Sequence, residues 1–275
     1  MSGLRTALAA TVVAVLVLTV TTAALPETCS AQTSVGAPAA PPQAAPEAAA
    51  LPADTAATVV SAVRAVSPGA DVGLLVWDSA TESRMVAVEP STRYQSASLV
   101  KLLVGIAATR AGTAWARVTR MLRDSDDRVA SLLWGELGGD ALPGRVAASL
   151  GIAGVGPPDI WGRWGNVLLS AEDLVTVYRY LLTDMPTLLT PLLNAPRTAA
   201  DGFDQHFGIP SAFPGPWAVK QAWGTSAQAT TAHTTGIVGD RYVVVLLTSH
   251  PPGTPFRTAT TAATAGATAL APHLP

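Results

Sequence analysis

The order of periodic segments predicts an α+β protein: an antiparallel sheet flanked by the N- and C-terminal helices, with a helical lobe alongside. Three observations carry this reading. A helical segment and two strand-like runs open the patterned part of the chain, and three strand-like runs and a helical segment close it. The block between them has apolar spacings of three and four. Strands at both ends of a helical insertion form one sheet when the two ends meet, and helices then cover it.

Each element has its own signal. Asp54 is placed to cap a helix through TAATVVSAVRAV, which Ser67-Pro68-Gly69 ends. DVGLLVWD and RMVAVE flank a Ser79-Ala80-Thr81-Glu82 turn and read as a hairpin. From Ser98 to Ala148 the pattern is helical, broken at Gly112-Thr113, Asp124 to Asp126 and Gly138-Gly139. A loop rich in glycine, proline and tryptophan, Gly151 to Gly165, leads to the helix AEDLVTVYRYLL, capped by Ser170. Trp161 and Trp164 are expected to pack that loop, the alternative being to line a cleft. PWAVKQAW, ATTAHTTGIV and RYVVVLLTSH follow as strands, and Pro255 to Ala271 as the closing helix. No internal repeat is present.

The chain before Asp54 has a different character. MSGLR and the uncharged run from Thr6 to Pro26 read as an export signal over residues 1–31, with small residues for cleavage at Thr22-Ala23-Ala24. The rival is an uncleaved anchor, since about 20 apolar residues just span a bilayer. Lipidation at Cys29 is disfavoured, because Leu25-Pro26-Glu27-Thr28 puts a charge and a proline where small residues are wanted. Residues 32–53 form an alanine- and proline-rich linker that cannot bury a core, and the folded domain is 54–275.

Composition narrows the function. Hydrophobic residues are 49 % of the 275, enough for a sizeable core, and the formal net charge is −2. Scattered arginines on a nearly neutral chain give no case for nucleic acid. The single cysteine excludes an intramolecular disulfide and any multi-cysteine metal site. No metal or other cofactor is expected, and a monomer is. Four histidines far apart, no G-x-S-x-G elbow, no H-E-x-x-H and no phosphate loop weigh against other hydrolase and nucleotide chemistries. His233, inside a strand pattern, reads as a core or edge residue.

Of the 17 basic residues only Lys101 and Lys220 are lysines. Lys101 follows Ser98 by three, so on a helix the hydroxyl and the amine share a face. A serine needs a base to become a nucleophile, and an amine serves when burial and nearby positive charge lower its pKa; an arginine cannot. Alone the spacing is a weak signal, and a lysine snorkelling from an amphipathic helix explains it equally well. Two further features sharpen it: Ser125-Asp126-Asp127 interrupts the helical block, and Lys220-Gln221-Ala222 lies in the first strand of the last three.

Taken in order, these three elements resemble S-x-x-K, S-D-N and K-T-G of the penicillin-recognising serine enzymes, the class A β-lactamases and low-molecular-mass penicillin-binding proteins. Within that superfamily the chain resembles the exported class-A-like serine hydrolases of actinobacteria. The resemblance covers about Asp54 to Leu270 and implies the β-lactamase/transpeptidase fold. It implies Ser98 as the acylated nucleophile, Lys101 as its base and Ser125 as proton relay to the leaving group. Lys220 would attract a substrate carboxylate, with Asp127, Gln221 and Trp223 also at the substrate. The backbone N–H groups of Ser98 and Trp223 would form the oxyanion hole. The implied substrate is a β-lactam or a cell-wall D-alanyl peptide.

Four departures bear on activity. Ser98 and Ser125 are only 27 residues apart, which implies a trimmed helical lobe and an open cleft. Asp127 stands for the asparagine that donates to a substrate carbonyl, and its charge would hold Lys101 protonated. Gln221-Ala222 replaces the hydroxyl and the glycine, and the alanine methyl is expected at the strand edge where a substrate backbone lies. Loop 151–170 holds no glutamate to activate a deacylating water; Asp159 is its only acid, and Glu172 fits a helix first turn. The expectation is acylation without efficient turnover; the alternative is a weak or inactive homologue that binds a cell-wall fragment or a protein partner.

Overall fold

The computed structural model describes residues 51–274, so the export segment and nearly all of the linker lie outside the described residues. Among those described, no helix is long and apolar enough to cross a membrane. The chain runs α1 (Thr55–Val66), β1 (Asp71–Asp78), β2 (Ser83–Val88) and a short β3 (Arg93–Gln95). The lobe follows as α2 (Lys101–Arg110), α3 (Trp115–Arg123), α4 (Asp127–Glu136) and α5 (Leu142–Ser149). Then come β4 (Leu168–Ser170), α6 (Ala171–Thr183), and short α7 (Leu189–Leu193) and α8 (Ile209–Ala212). The chain closes with β5 (Trp217–Thr225), β6 (Thr230–Val238), β7 (Tyr242–His250) and α9 (Phe256–Leu270).

The two ends do meet. The five-stranded sheet has the order β2-β1-β7-β6-β5, and β1 pairs antiparallel with β7 in the register Leu74↔Leu246. Because strand side chains alternate, each face acquires its own core. Leu74, Val76, Val244 and Leu246 pack with Val59 and Val63 of α1 and Ala262 and Leu270 of α9. Leu75, Val243, Val245 and Leu247 face the opposite way, onto the lobe and α6. β6, buried along its whole length, is covered on both faces. β5 is left at the edge of the sheet beside the lobe.

The breaks read in the helical block are the boundaries of α2 to α5. Ser170 caps α6 as expected, in a reciprocal box with Asp173. Asp54 does not cap α1: its backbone is helical and its side chain accepts no hydrogen bond from the first turn. The pair β3 and β4 is absent from the sequence reading, because three residues are too few to show alternation and their partners lie more than seventy residues apart.

Asp78 at the end of β1 is fully buried and takes two hydrogen bonds from Arg241 in the β6–β7 turn, Nε to Oδ1 at 2.8 Å and Nη2 to Oδ2 at 2.6 Å. These bonds hold its carboxyl down to about 2, against the cost of burial. A carboxyl depressed in the folded state contributes stability above its unfolded value of about 4 and loses it as the pH falls toward 2. Asp78→Asn should therefore cost about 1–3 kcal/mol at pH 7. In chemical denaturation the gap from the parent should close between pH 4 and pH 2; a gap independent of pH would show that the ionised form contributes nothing.

Candidate active site

The short strand β3 delivers the chain to the serine. Ser96 N–H donates to Val167 O at 2.8 Å, and His233 Nε2 donates to Gln95 O at 2.8 Å, fixing the residues just before the turn. His233 Nδ1 accepts from Thr248 N–H at 3.1 Å, so both ring nitrogens are engaged and burial pushes the ring down to about 4. It is a neutral core histidine, as the strand pattern suggested. Ala97 then adopts φ 43°, a left-handed conformation rare for a residue with a side chain. The 3-10 turn Ala97–Val100 carries Ser98 and runs directly into α2, whose first residue is Lys101.

A second strained residue faces it. Ser125 has φ 52° in the bend between α3 and α4. Asp126 caps α4 by accepting from Val129 N–H at 3.0 Å and also takes Arg120 Nε at 2.6 Å. The middle residue of the motif thus holds the bend while its neighbours turn inward. Lys220 arrives from β5, on the sheet face that meets the lobe.

These side chains form one network. Lys101 Nζ lies 3.0 Å from Ser98 Oγ, 3.2 Å from Ser125 Oγ, 2.7 Å from Ser125 O and 2.5 Å from Asp127 Oδ1. Lys220 Nζ lies 2.9 Å from Ser125 Oγ and 2.9 Å from Gln221 O. The expected meeting of both lysines with both serines is what the structure has. The Lys101 ammonium also sits 5.1 Å from the centre of the Trp164 ring.

Burial and charge oppose each other at Lys101. The side chain is fully buried, and desolvation pushes its pKa below the usual lysine range, while Asp127 pulls it back up. Lys220 is lowered further, first by burial and then by the charge on Lys101. The two amines flank one hydroxyl, so a proton on one raises the cost of a proton on the other. Asp127 biases the shared proton toward Lys101.

A cleft of about 330 Å³ opens over Ser98. Its walls include Ala97, Asp127, Trp164, Asn166, Trp223 and Thr231. Asp127 faces it with 63 % of its side chain exposed. Trp164 lines the cleft, contrary to the expectation that it only packs its loop, whereas Trp161 is 87 % exposed. Asp201, Arg163, Asn166 and Thr231 also line it and were not among the sequence candidates. They come from three separate segments, and no motif spacing links them.

Three expectations need correction or refinement. The Gln221 side chain is 1 % exposed and donates through Nε2 to Phe207 O, away from the cleft, so it is no substrate-binding group. Alternation along β5 puts it on the face opposite Lys220. The Ala222 methyl is fully buried in the core shared with the lobe, not at the strand edge, because strand side chains stand perpendicular to the sheet. Lys220 is only 1 % exposed and its amine is engaged beneath the cleft, so it presents no open ammonium.

The loop acids are accounted for. Asp159 accepts from Asn166 Nδ2 at 2.8 Å and lies outside the Ser98 cleft. Glu172 pairs with Arg84 at 2.8 Å in the first turn of α6. Among the described residues no cluster of three or more metal-ligating side chains occurs.

No family model matches the chain. Among curated proteins, "Putative lipoprotein LppW" of Mycobacterium tuberculosis and of Mycobacterium bovis are each 35 % identical over 143 residues, 48 % of this chain and 45 % of theirs. The chain thus spans about half the length of the curated relatives it matches. Among solved structures, a beta lactamase from Xanthomonas campestris has a TM-score of 0.65 at 12 % identity, covering 80 % of this chain and 97 % of that one. One from Burkholderia vietnamiensis has 0.64 at 16 %, covering 80 % and 96 %. An ancestral class A beta-lactamase has 0.62 at 17 %, covering 78 % and 98 %. The sheet closed from both chain ends, the lobe beside it and these matches over nearly whole enzymes give one conclusion: the chain has the fold of the class A β-lactamases, that of the penicillin-recognising serine enzymes.

Proposed function

We propose that this protein is an exported serine acyl-transferase or hydrolase that forms an ester at Ser98 with a β-lactam or a D-alanyl peptide, and releases it slowly. One observation carries the reading: a serine on a strained turn lies 3.0 Å from a buried lysine amine at the floor of an open cleft. In its neutral form Lys101 takes the Ser98 proton as Oγ attacks the acyl carbon. Ser125, between the two amines, passes a proton to the leaving atom. Backbone N–H groups of Ser98 and Trp223, both on the cleft wall, are the oxyanion donors of this scheme.

Slow release rests on the acids just described. No carboxylate of loop 151–170 faces Ser98, and loss of a positioned base typically costs about 10²–10⁴ in rate. Intact-protein mass after prolonged exposure to millimolar benzylpenicillin should show a persistent adduct that is absent in Ser98→Ala. Rapid turnover without an adduct would reveal another base. Neither adduct nor turnover would favour the second reading, a homologue that binds a cell-wall fragment or a protein partner. That reading has its own support in the 2.5 Å contact by which Asp127 favours the protonated form of Lys101 against the effect of burial.

Asp127→Asn separates the two. Removing the carboxylate lowers the Lys101 pKa, so the neutral amine is present at lower pH. The rising limb of the acylation profile should move down by about one unit, with about a tenfold gain near neutrality, since one unit is about 1.4 kcal/mol. An unmoved profile accompanied by a lower melting temperature would make Asp127 a purely structural counter-ion.

The envelope is the proposed location. Segment 1–31 supports export, and the name of the mycobacterial relatives brings Cys29 lipidation back as the competitor to simple cleavage. In an actinobacterial host, the mature N-terminus should map near Ala24 and the protein should partition into the aqueous phase of a detergent split. Detergent-phase partitioning that Cys29→Ser abolishes would assign a lipid anchor instead.

A further inference from the structure

The resemblance predicts an ammonium waiting for a substrate carboxylate at the β5 wall, and the structure puts different charges there. Lys220 is buried, with its amine on Ser125 Oγ and Gln221 O at 2.9 Å each. The charged side chain on the open side of that wall is Asp201, which is exposed and lines the cleft. Its Oδ2 accepts from Trp223 Nε1 at 3.3 Å and its Oδ1 from Phe203 N–H at 3.0 Å, so the carboxylate is held beside the indole. The indole in turn stacks on Phe203, with centroids 4.4 Å apart and planes at 12°.

The other charges are Asp127, already paired with Lys101, and Arg163 on the loop wall beside Trp164. The cleft thus carries two carboxylates, Asp201 beside Trp223 and Asp127 on the lobe, and one guanidinium on the loop. Ser98, 6 % exposed, lines the same space.

We propose that this cleft favours acyl donors whose leaving group carries a carboxamide or a primary ammonium over those whose leaving group carries a free carboxylate, seated against Asp201 and Trp223. The proposal rests on the acyl-transfer reading above and ranks its substrates: D-alanyl peptides with an amidated terminus come ahead of β-lactams and free-carboxylate peptides, which react more slowly. A carboxylate at this wall meets Asp201 without a free ammonium to offset the repulsion. An ammonium there meets a carboxylate, which is favourable. The transfer itself is balanced: Ser98 Oγ–H gives up its proton, the new Oγ–acyl bond forms, the bond to the leaving oxygen or nitrogen breaks, and that atom regains one proton.

The test uses the purified chain and three phenylacetylglycyl aryl esters whose phenol carries, at one ring position, a carboxylate, a carboxamide or an aminomethyl group. Phenol release is followed and each rate is divided by that ester's hydroxide hydrolysis rate, which removes differences in leaving-group reactivity. The expected order is aminomethyl, then carboxamide, then carboxylate. The span should be about tenfold, as two exposed charge steps allow, and should contract in molar salt. Asp201→Asn should erase most of the span, while Ser98→Ala abolishes release of all three. A carboxylate ester that is fastest, equal rates, or an order unchanged in Asp201→Asn would overturn the inference while leaving acyl transfer intact. If the folded protein accepts none of the three, the acyl-transfer reading falls and this inference with it.

Discussion

Two lysine amines are buried on either side of one serine hydroxyl, and the rest of the site is arranged around that expense. Taking an ammonium out of water is costly unless it is paired or loses its proton. Here both remedies operate. Asp127 pairs with Lys101, and Lys220, with no carboxylate in contact among the described residues, is driven toward the neutral amine. Ser125 can then face two amines of unequal basicity, which is the arrangement a proton relay requires.

That network imposes strain that the scaffold has to hold. Ala97 and Ser125 both sit in left-handed conformations, and each is pinned from outside. The Ala97 turn is fixed through Ser96 to Val167, just before β4, and through Gln95 to His233 of β6. The Ser125 bend is held by Asp126 as cap of α4 and partner of Arg120. The loop that covers Lys101 with Trp164 is clasped by Arg93, which bonds Gly154 O, Ala153 O and Asp173. Asp173 belongs to the capping box of α6, so one carboxylate ties the loop to a helix start. Strain persists where the surroundings over-determine it, and here they do.

Asp127 changes what such a site can do. An asparagine in its place would donate to a substrate carbonyl; a carboxylate instead sets the proton balance of the floor. Together with Asp201 it makes the open wall acidic, while the lysines that would receive an anion lie beneath the surface. The site keeps a serine hydroxyl beside a buried amine and alters the electrostatics around them.

How much of this was legible in sequence follows from the range of the interactions involved. Alternation and 3.6-residue spacing are local, so the strands, the long helices and their order could be read directly. The lysine count made Lys101 and Lys220 conspicuous, and the three motifs named all five members of the network: Ser98, Lys101, Ser125, Asp127 and Lys220. The pairing of β3 with β4, the burial of Gln221 on the far face of β5 and the convergence of Asp201, Arg163, Asn166 and Thr231 on one cleft were not legible. Each depends on which face of an element meets a distant segment, and a one-residue phase in a strand decides that without changing composition. By itself the sequence determined the elements, their order and the candidate nucleophile with its amine, because those are written in spacing along the chain. Tertiary structure alone decided which carboxylates face Ser98 and which amines lose contact with water, because burial and charge proximity are properties of packed space.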